Sequence, residues 1–248
     1  MMAPVMKFFL MVLVGLLVGI FNGAAGGASV FSFPMLVAVG LNPISAAITS
    51  AIGVSPANIF ALASKRHEVK PIMREHAKIL IACSLGAAVG AIALVMVPEE
   101  NFKRLVPFLL LIASCSLLIK VAPALTALER RKEISLMLAI GIYCGYFGPG
   151  QGVMVIAVLA RDAGRSVASV NIGKNVIVGI SNLPSICIFA VSGMADWGLA
   201  LALLIGSSAG GYFGGRVANR FSRSTYKWII FSVGITSTFW FFYKYWIK

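Results

Sequence analysis

The chain alternates between long apolar runs without any charged residue and short segments rich in Lys and Arg. The uncharged runs occupy residues 8–64, 79–98, 105–119, 134–160, 175–195, 197–215 and 228–243. A helix that crosses the hydrocarbon core of a bilayer needs about 20 predominantly apolar residues. A soluble protein can bury one such helix, but not a whole series of them. The pattern therefore predicts an all-α integral membrane protein with several crossings.

The runs divide into ordinary spans and two interrupted hairpins. We expect spans at 44–63, 79–97, 105–121, 167–190, 197–215 and 228–247, and hairpins at about 5–40 and 134–160. Glycines interrupt the hairpins at residues 23–27 and 148–152, and the second break also contains Pro149, which cannot continue a helix. Pieces such as residues 153–160 are too short to cross a bilayer, so we expect half-helices or re-entrant segments that meet inside the membrane.

The sequence contains an internal repeat. The aligned stretches are residues 19–26 with 141–148, 86–90 with 210–214, and 102–103 with 226–227. The offset between aligned positions is nearly constant, which is typical of a duplication. We therefore expect a first repeat at residues 1–122, a cytoplasmic linker at 123–133 and a second repeat at 134–248, which together form one membrane domain.

The positive residues between the spans indicate how the two repeats are oriented. Residues 65–78 are strongly basic, whereas the aligned segment at 191–197 contains only Asp196 as a charged residue. Residues 98–104 carry both signs of charge, whereas the aligned segment 216–227 is basic without an acid. Because Lys and Arg accumulate in cytoplasmic loops, this reversal predicts inverted repeats with the basic segments on the cytoplasmic side.

Composition argues against two other classes of protein. Only 12% of the residues are charged and the mean hydropathy is +0.94, whereas a soluble domain has about 25% charged residues. The Lys and Arg residues that give the net charge of +13 lie mostly between the apolar runs. This placement favours membrane topology over nucleic-acid binding as the explanation of the charge. The four cysteines lie inside apolar runs without metal-ligand spacing, so we expect no disulfide, metal or cofactor.

The amino-terminal segment shares features with a secretory signal peptide, namely a short apolar run followed by small residues. The same pattern recurs in the middle of the chain, where no signal peptide can occur. We therefore expect residues 1–27 to belong to the mature protein.

The glycine-containing breaks offer a site for an anion. Helix N-termini present free N–H groups and the positive end of a dipole, and inverted-repeat transporters bind substrates at discontinuous helices. The candidates are the segments that begin at Gly26 and at Gly150. The alternative is that glycines only allow close helix packing, and we favour this interpretation for the glycines of residues 86–90 and 210–215.

Polar residues in the span after each hairpin are further candidates. Thr49 aligns with Asn171 across the repeat, and Lys174 lies well inside its span. A buried ionisable group is costly and therefore a functional candidate; alternatively, the flexible stem of Lys174 carries its amine to the headgroups. No Asp or Glu lies within a span, and His67 and His76 lie in the basic segment. The sequence thus lacks the groups expected of a carboxylate proton relay or an intramembrane protease.

The ordered motifs resemble those of the sulfite exporter TauE/SafE family, in which a glycine cluster precedes an apolar-Pro pair and a Thr-Ser step. The matching motifs are residues 23–27, 33–34 and 46–50 in the first repeat, and residues 145–152, Lys174 and residues 181–182 in the second. The resemblance covers nearly the whole chain. It implies a transporter of sulfur-containing or organic anions such as sulfite, sulfonates or thiosulfate.

The chain departs from the family pattern at a few positions. Ala25 and Ala28 occur where more glycine is usual, and Asn171 replaces the expected threonine. In the second repeat Ile156 stands where Pro34 stands in the first. These differences bear on the substrate rather than on the fold.

We therefore expect a secondary transporter that moves a small sulfur-containing or organic anion across the cell membrane by alternating access. The alternatives are a passive anion channel and, less favoured, a membrane-embedded enzyme. The expected partners are the anionic substrate and the lipid bilayer, with a coupling ion (a proton or another) left open and no nucleic acid. The expected substrate-binding residues are Gly26, Gly27, Ser29, Thr49, Ser50, Gly150, Gln151, Gly152, Asn171, Lys174, Asn175 and Asn182.

Overall fold

The computed structural model describes residues 3–24, 27, 29–63, 66–118, 129–162, 164–217 and 223–247, and their regular structure is helical. The helices are α1 (Pro4–Ala24), α2 (Ser29–Ala38), α3 (Pro43–Val54), α4 (Pro56–Phe60), α5 (Arg66–Glu75), α6 (Ala77–Met96), α7 (Glu99–Ser116), α8 (Arg130–Tyr146), α9 (Gln151–Leu159), α10 (Val167–Ser181), α11 (Leu183–Val191), α12 (Trp197–Val217) and α13 (Arg223–Phe242). A π-helical turn, Tyr243–Ile247, extends α13. The prediction of an all-helical chain is confirmed.

Four helical segments among the described residues have the length and apolar composition needed to cross a membrane. They are Pro4–Asn22, Pro43–Phe60, Ala77–Met96 and Val167–Val191. Each overlaps almost entirely with a hairpin or span that the sequence predicts. The chain is therefore a multi-pass membrane protein.

Two of these membrane segments consist of two helices joined by a bend. Helix α3 passes into α4 at Ser55, with Pro56 at the start of α4. Helix α10 passes into α11 at Asn182, with Pro184 in the first turn of α11. Proline removes a backbone N–H donor, so it interrupts a helix and is accommodated best at the start of the next one. The apolar pattern predicts each segment as one uninterrupted span, and the two bends correct this prediction.

The outer face of α6 shows how the bundle meets lipid. Its large exposed apolar residues are Ile81, Leu85, Val89, Ile92 and Met96. Spacings of three and four residues place them on one side of the helix. The opposite side, which includes Ala87 and Ala91, is fully buried against the protein. In a bilayer the exposed apolar side therefore contacts hydrocarbon rather than water.

Helices from the two predicted repeats pack together in two close pairs, α1 with α12 and α6 with α8. A β-carbon added at Gly210 would collide with the α1 backbone at Leu16, and one added at Gly86 would collide with the α8 backbone at Leu138. Backbones that approach this closely require glycine at the contact. The packing role predicted for these glycines is confirmed. The two contacts also occupy aligned positions of the repeat.

The contacts at the ends of the bundle establish the directions of several helices. Arg165, just before α10, lies 3.7 Å from Glu75, just before α6. Arg130, at the start of α8, donates to the Glu75 carbonyl oxygen at 3.2 Å. Helices α6, α8 and α10 therefore begin at the same end, beside α5. The turn at Asp196, which follows α11, lies at the opposite end, where its N–H donates to the hydroxyl of Thr49 at 3.0 Å.

Helix α1 runs parallel to α12. Gly15 of α1 lies against Leu203 of α12, and Gly19, one turn later, lies against Gly211. Positions thus advance in the same direction along both helices. Because α12 begins at the end of the bundle that holds Asp196, α1 also begins there.

The non-helical breaks are shorter than the sequence predicts. Helix α1 continues through Gly23 to Ala24, and α9 already begins at Gln151. Among the described glycines of these breaks, Gly27, Gly148 and Gly150 adopt positive φ. A positive φ is strained for a residue with a side chain, so these positions are the ones where the break requires glycine.

The basic segment 65–78 contains helix α5, which the sequence analysis does not predict. The apolar side of α5 supplies Ile72, which packs against α10 at Ile172 and Val176, and this tertiary contact stabilises a helix that is too short to form alone. Helix α8 begins at Arg130, inside the predicted linker. Residues 119–128, which include much of that linker, lie outside the described part of the chain.

Candidate substrate site

A cavity of about 50 Å³ lies where the breaks after α1 and α8 meet α3, α4, α10 and α11. A space of this size holds a few water-sized groups, and therefore a small oxyanion. Its polar lining comprises Asn22, Ser29, Ser50, Ser55, Asn58, Cys144, Gln151, Asn182 and Ser185. The described residues that line it include no charged side chain.

Two helix N-termini converge on this cavity. Gly27 and Ser29, at the start of α2, line one side, and Gln151 and Gly152, at the start of α9, line another. The first turn of a helix has N–H groups without intrahelical partners, and the helix dipole adds about half a positive charge there. Both features favour a bound anion over a cation or a neutral molecule.

The break after α1 touches the first turn of α9. A β-carbon added at Gly27 would lie 3.0 Å from a methyl carbon of Val153 and 3.4 Å from Leu117. Gly27 has φ of 83°, so both its conformation and its surroundings favour glycine. The break after α1 is thus in direct contact with the start of α9.

Gln151 and Asn182 form the best-connected polar group at the site. The amide nitrogen of Asn182 donates to Gln151 Oε1 at 3.1 Å, and Gln151 Nε2 donates to the hydroxyl of Ser181 at 3.4 Å. The oxygen of the Asn182 amide, Oδ1, accepts a hydrogen bond from the thiol of Cys144 at 3.1 Å. These bonds hold both amide side chains in place, and a side chain that is already ordered loses less entropy on binding.

Hydroxyl groups line the part of the cavity that the first half provides. The hydroxyls of Ser32 and Ser50 share a hydrogen bond of 2.6 Å, and Ser32 Oγ also donates to the Ser29 carbonyl oxygen at 3.0 Å. The Ser50 hydroxyl therefore donates to Ser32 in this arrangement and keeps its lone pairs free. Rotation of the two hydroxyls instead presents a donor to a bound anion.

Residues that line the cavity occur as pairs from aligned positions of the two repeats. The pairs are Asn22 with Cys144, Ser29 with Gln151, Val54 with Val178, and Asn58 with Asn182. Each half thus contributes the equivalent positions of its first helix, its broken hairpin and its third element. The cavity lies on the boundary between the halves rather than within one of them.

The structure brings six of the expected site residues together around the cavity: Gly27, Ser29, Ser50, Gln151, Gly152 and Asn182. Five others are described and lie outside the lining: Thr49, Gly150, Asn171, Lys174 and Asn175. Thr49 accepts a hydrogen bond from the Asp196 N–H. Gly150 caps α9 with φ of 91° and packs against Ala113. Asn171 is half-buried in α10. Asn175 is buried, and its Oδ1 has no hydrogen-bond partner among the described residues.

Lys174 is fully buried and points into the protein. Its Nζ donates to the backbone carbonyl oxygen of Asn22 at 2.8 Å, in the last turn of α1. Helix C-termini have free carbonyl groups and the negative end of the dipole, so they attract a cation. Asn22 itself lines the cavity, and the amine therefore lies directly behind the cavity wall. The side chain does not reach the headgroups, which excludes the snorkelling alternative.

Gly26 lies outside the described residues, so its position is not established. In contrast, several lining residues are absent from the sequence-based site: Asn22, Ser55, Asn58, Cys144 and Ser185. The repeat contained the signal for three of them, because Asn22 aligns with Cys144 and Asn58 aligns with the predicted Asn182. Ser55 and Ser185 have no such signal, since only the bends bring them to the cavity.

A polar cavity inside a multi-pass bundle of membrane helices, reached by two helix N-termini, is the kind of site found in membrane transport proteins. Comparison with known families agrees. Residues 11–241 match the model of the sulfite exporter TauE/SafE family, and the chain belongs to this family.

Relatives in several bacteria carry transporter names. A "Probable membrane transporter protein" of Haemophilus influenzae is 26% identical over 215 residues, which is 82% of each chain. The "Probable membrane transporter protein YfcA" of Escherichia coli strain K12 is 23% identical over 82% of this chain and 78% of the relative. The "Probable membrane transporter protein YjnA" of Bacillus subtilis is 26% identical over 91% of this chain and 96% of the relative. No solved structure matches the chain.

Proposed function

We propose that this membrane transporter moves a small sulfur-containing or organic oxyanion by alternating access between two inverted repeats. One observation supports the proposal above all: aligned residues of the two halves line one cavity, and a helix N-terminus from each half reaches it. Secondary transporters built from inverted repeats bind their substrates at such a boundary.

The helix directions support the inversion. Helix α1 begins at the Asp196 end of the bundle, whereas α8, its counterpart in the second repeat, begins at the opposite end beside α5. Opposite directions of these two equivalent helices support the inverted repeat that we propose. This is the arrangement that the reversal of loop charge predicts, with α5 on the cytoplasmic side.

The chemistry of the lining supports an oxyanion substrate. An anion that leaves water needs donors in place of its hydration shell. The cavity offers backbone N–H groups at two helix starts, the amides of Asn58 and Asn182, and, after rotation of its hydroxyl, Ser50. The described lining includes no carboxylate that would repel an anion. Tetrahedral or pyramidal sulfur oxyanions present several acceptor oxygens, which matches donors on more than one side.

Uptake into proteoliposomes tests this function. The purified chain should accumulate radiolabelled thiosulfate, sulfite or a sulfonate against its gradient when a proton or sodium gradient is imposed. We expect Gln151→Leu to reduce uptake about tenfold, because it removes the amide at the start of α9 and leaves the Asn182 amide without its acceptor.

A second variant, Gln151→Glu, keeps an acceptor for Asn182 but adds a negative charge, which repels an anion. This variant should also impair uptake. Both variants should remain folded. Uptake that only equilibrates with the outside concentration would identify a passive channel instead. A panel of these anions without any saturable uptake or binding would contradict the proposal.

Ion pairs around Arg165 close the end of the bundle beside α5. The guanidinium group lies 3.5 Å from Glu133 of α8, 3.7 Å from Glu75 and 3.3 Å from Asp162. Burial lowers the pKa of His76 and Arg165 lowers this pKa further, whereas Glu75 and Glu133 raise it, and the net effect is a lower pKa. The turn between α9 and α10 must separate from α8 before the cavity can open at this end.

We expect Arg165→Gln to favour the state that is open at this end. In a chain with Cys144 as its sole cysteine, an impermeant thiol reagent in inside-out vesicles should label Cys144 at least about fivefold faster after this change. Fivefold corresponds to about 1 kcal/mol in the opening equilibrium, a modest value for a network whose Arg165 and Glu133 side chains are only 15% and 9% exposed.

The matched control is Arg131→Gln, because Arg131 is exposed at the same end and forms no ion pair with a described residue. It should leave the labelling rate unchanged. Equal rates in wild type and Arg165→Gln would show that these ion pairs do not close the path to the cavity.

A further inference from the structure

We propose that the outward side of α5 is a binding surface for anionic phospholipid headgroups. Its cationic residues are Arg66, Lys70 and Arg74, and Lys78 continues the series at the start of α6. All four are exposed. Residues that recur every four positions follow one side of a helix, and the three in α5 extend along about 12 Å of its axis. We call these four residues the cationic stripe.

The acidic residue between these cations, Glu68, lies four positions before Ile72 and therefore on the side of α5 opposite the cationic stripe. None of its four members lies within ion-pair distance of a carboxylate in the described part of the chain. The nearby carboxylate of Glu75 is directed elsewhere, because it lies 3.7 Å from Arg165 and 3.4 Å from His76. Four exposed positive groups on one short segment repel each other, so a phosphate that bridges them is favourable.

The opposite side of α5 fixes the helix at the membrane boundary. Ile72 lies about 160° around the helix from Lys70, and it packs in a cluster with Leu62, Ile172 and Val176. Two of these partners belong to the membrane segment Val167–Val191, near its start, and the next membrane segment begins at Ala77, directly after α5. The helix therefore lies where a bilayer has its headgroups, with its cations turned away from the protein.

An anionic lipid matches this surface in charge and in position. Basic segments next to membrane helices attract anionic headgroups, and the attraction falls off within a Debye length. Arginine also binds phosphate through two parallel hydrogen bonds. A lipid held here would steady the junction between α5 and α6, where Glu75 meets Arg165, and would thereby stabilise the closed end of the bundle. This binding does not depend on the identity of the transported anion.

A lipid titration of the full chain tests the proposal. Short-chain phosphatidylglycerol added to the protein in a neutral detergent should raise its melting temperature, whereas phosphatidylcholine of the same chain length should not. The variant Arg66→Gln/Lys70→Gln/Arg74→Gln should need about tenfold more phosphatidylglycerol for the same shift. The matched control Arg131→Gln/Lys132→Gln/Arg161→Gln removes three exposed cations from the same end and should respond like wild type.

A single variant, a salt titration and a soluble phosphate complete this test. If the triple variant does not fold, the single variant Lys70→Gln replaces it and should also need more phosphatidylglycerol. In addition, about 0.5 M salt should abolish the shift in melting temperature of the wild type. Equal shifts with both lipids, or an unchanged response of the stripe variants, would overturn the proposal. A shift of the same size with soluble glycerophosphate would also overturn it, because the surface would then be a phosphate site and not a lipid site.

Discussion

Lys174→Met should weaken anion binding at least about tenfold while the protein stays folded. Tenfold corresponds to about 1.4 kcal/mol. The amine is fully buried, and its bond to the Asn22 carbonyl oxygen places a donor and potential cation directly behind the cavity wall. In a low-dielectric environment this charge stabilises an anion even without direct contact. Methionine keeps the length of the stem and removes the cost of burying a charge, so the helix packing should survive.

Calorimetric titration of purified protein with thiosulfate measures this effect. Lys174→Arg, which retains the charge and the donor, should keep part of the affinity. Lys132→Met is the matched control, because it removes one lysine whose side chain is 67% exposed at the surface. Wild-type affinity in Lys174→Met would mean that the anion is held by the helix N-termini, amides and hydroxyls alone.

Gly86→Ala should destabilise the protein by about 3 kcal/mol, near the upper end of the usual cost of overpacking. The added methyl group has no space, because it would overlap the backbone of α8 at Leu138 and Ile142. A flexible side chain could move aside, but two helix backbones can only separate. For a chain of this size, the loss corresponds to a fall in melting temperature of about 6 °C or more.

Gly198→Ala provides the control for this prediction. Gly198 is also in a helix, yet its added β-carbon would be 3.4 Å from Asp196 Oδ1, an ordinary van der Waals distance. This variant should melt close to wild type or slightly above it, because alanine favours the helix. Similar melting temperatures for the two variants would show that α6 and α8 can separate without loss of stability.

Local patterns predicted the elements because each depends on a short stretch of sequence. The uncharged run at 79–98 predicts a span, and α6 occupies Ala77–Met96. Gly148, Pro149 and Gly150 predict a break, and the chain is non-helical at these positions. In contrast, the pattern does not predict the bend at Asn182. A single proline two residues later does not distinguish a kink from a helix start, and the decision depends on how α10 packs against α4 and α9.

For the site, the sequence alone determined which residue types are available and, through the repeat, which positions are equivalent. Six expected residues line the cavity for this reason, among them Gln151 and Asn182. Only the tertiary structure decided which of the remaining polar residues face the cavity and which serve packing. Thr49 lies one residue from Ser50 in α3, yet Thr49 bonds to the Asp196 turn and Ser50 lines the cavity. Neighbouring helical residues point about 100° apart, so the choice between them depends on the rotation of α3 against α12, which contacts distant in sequence determine.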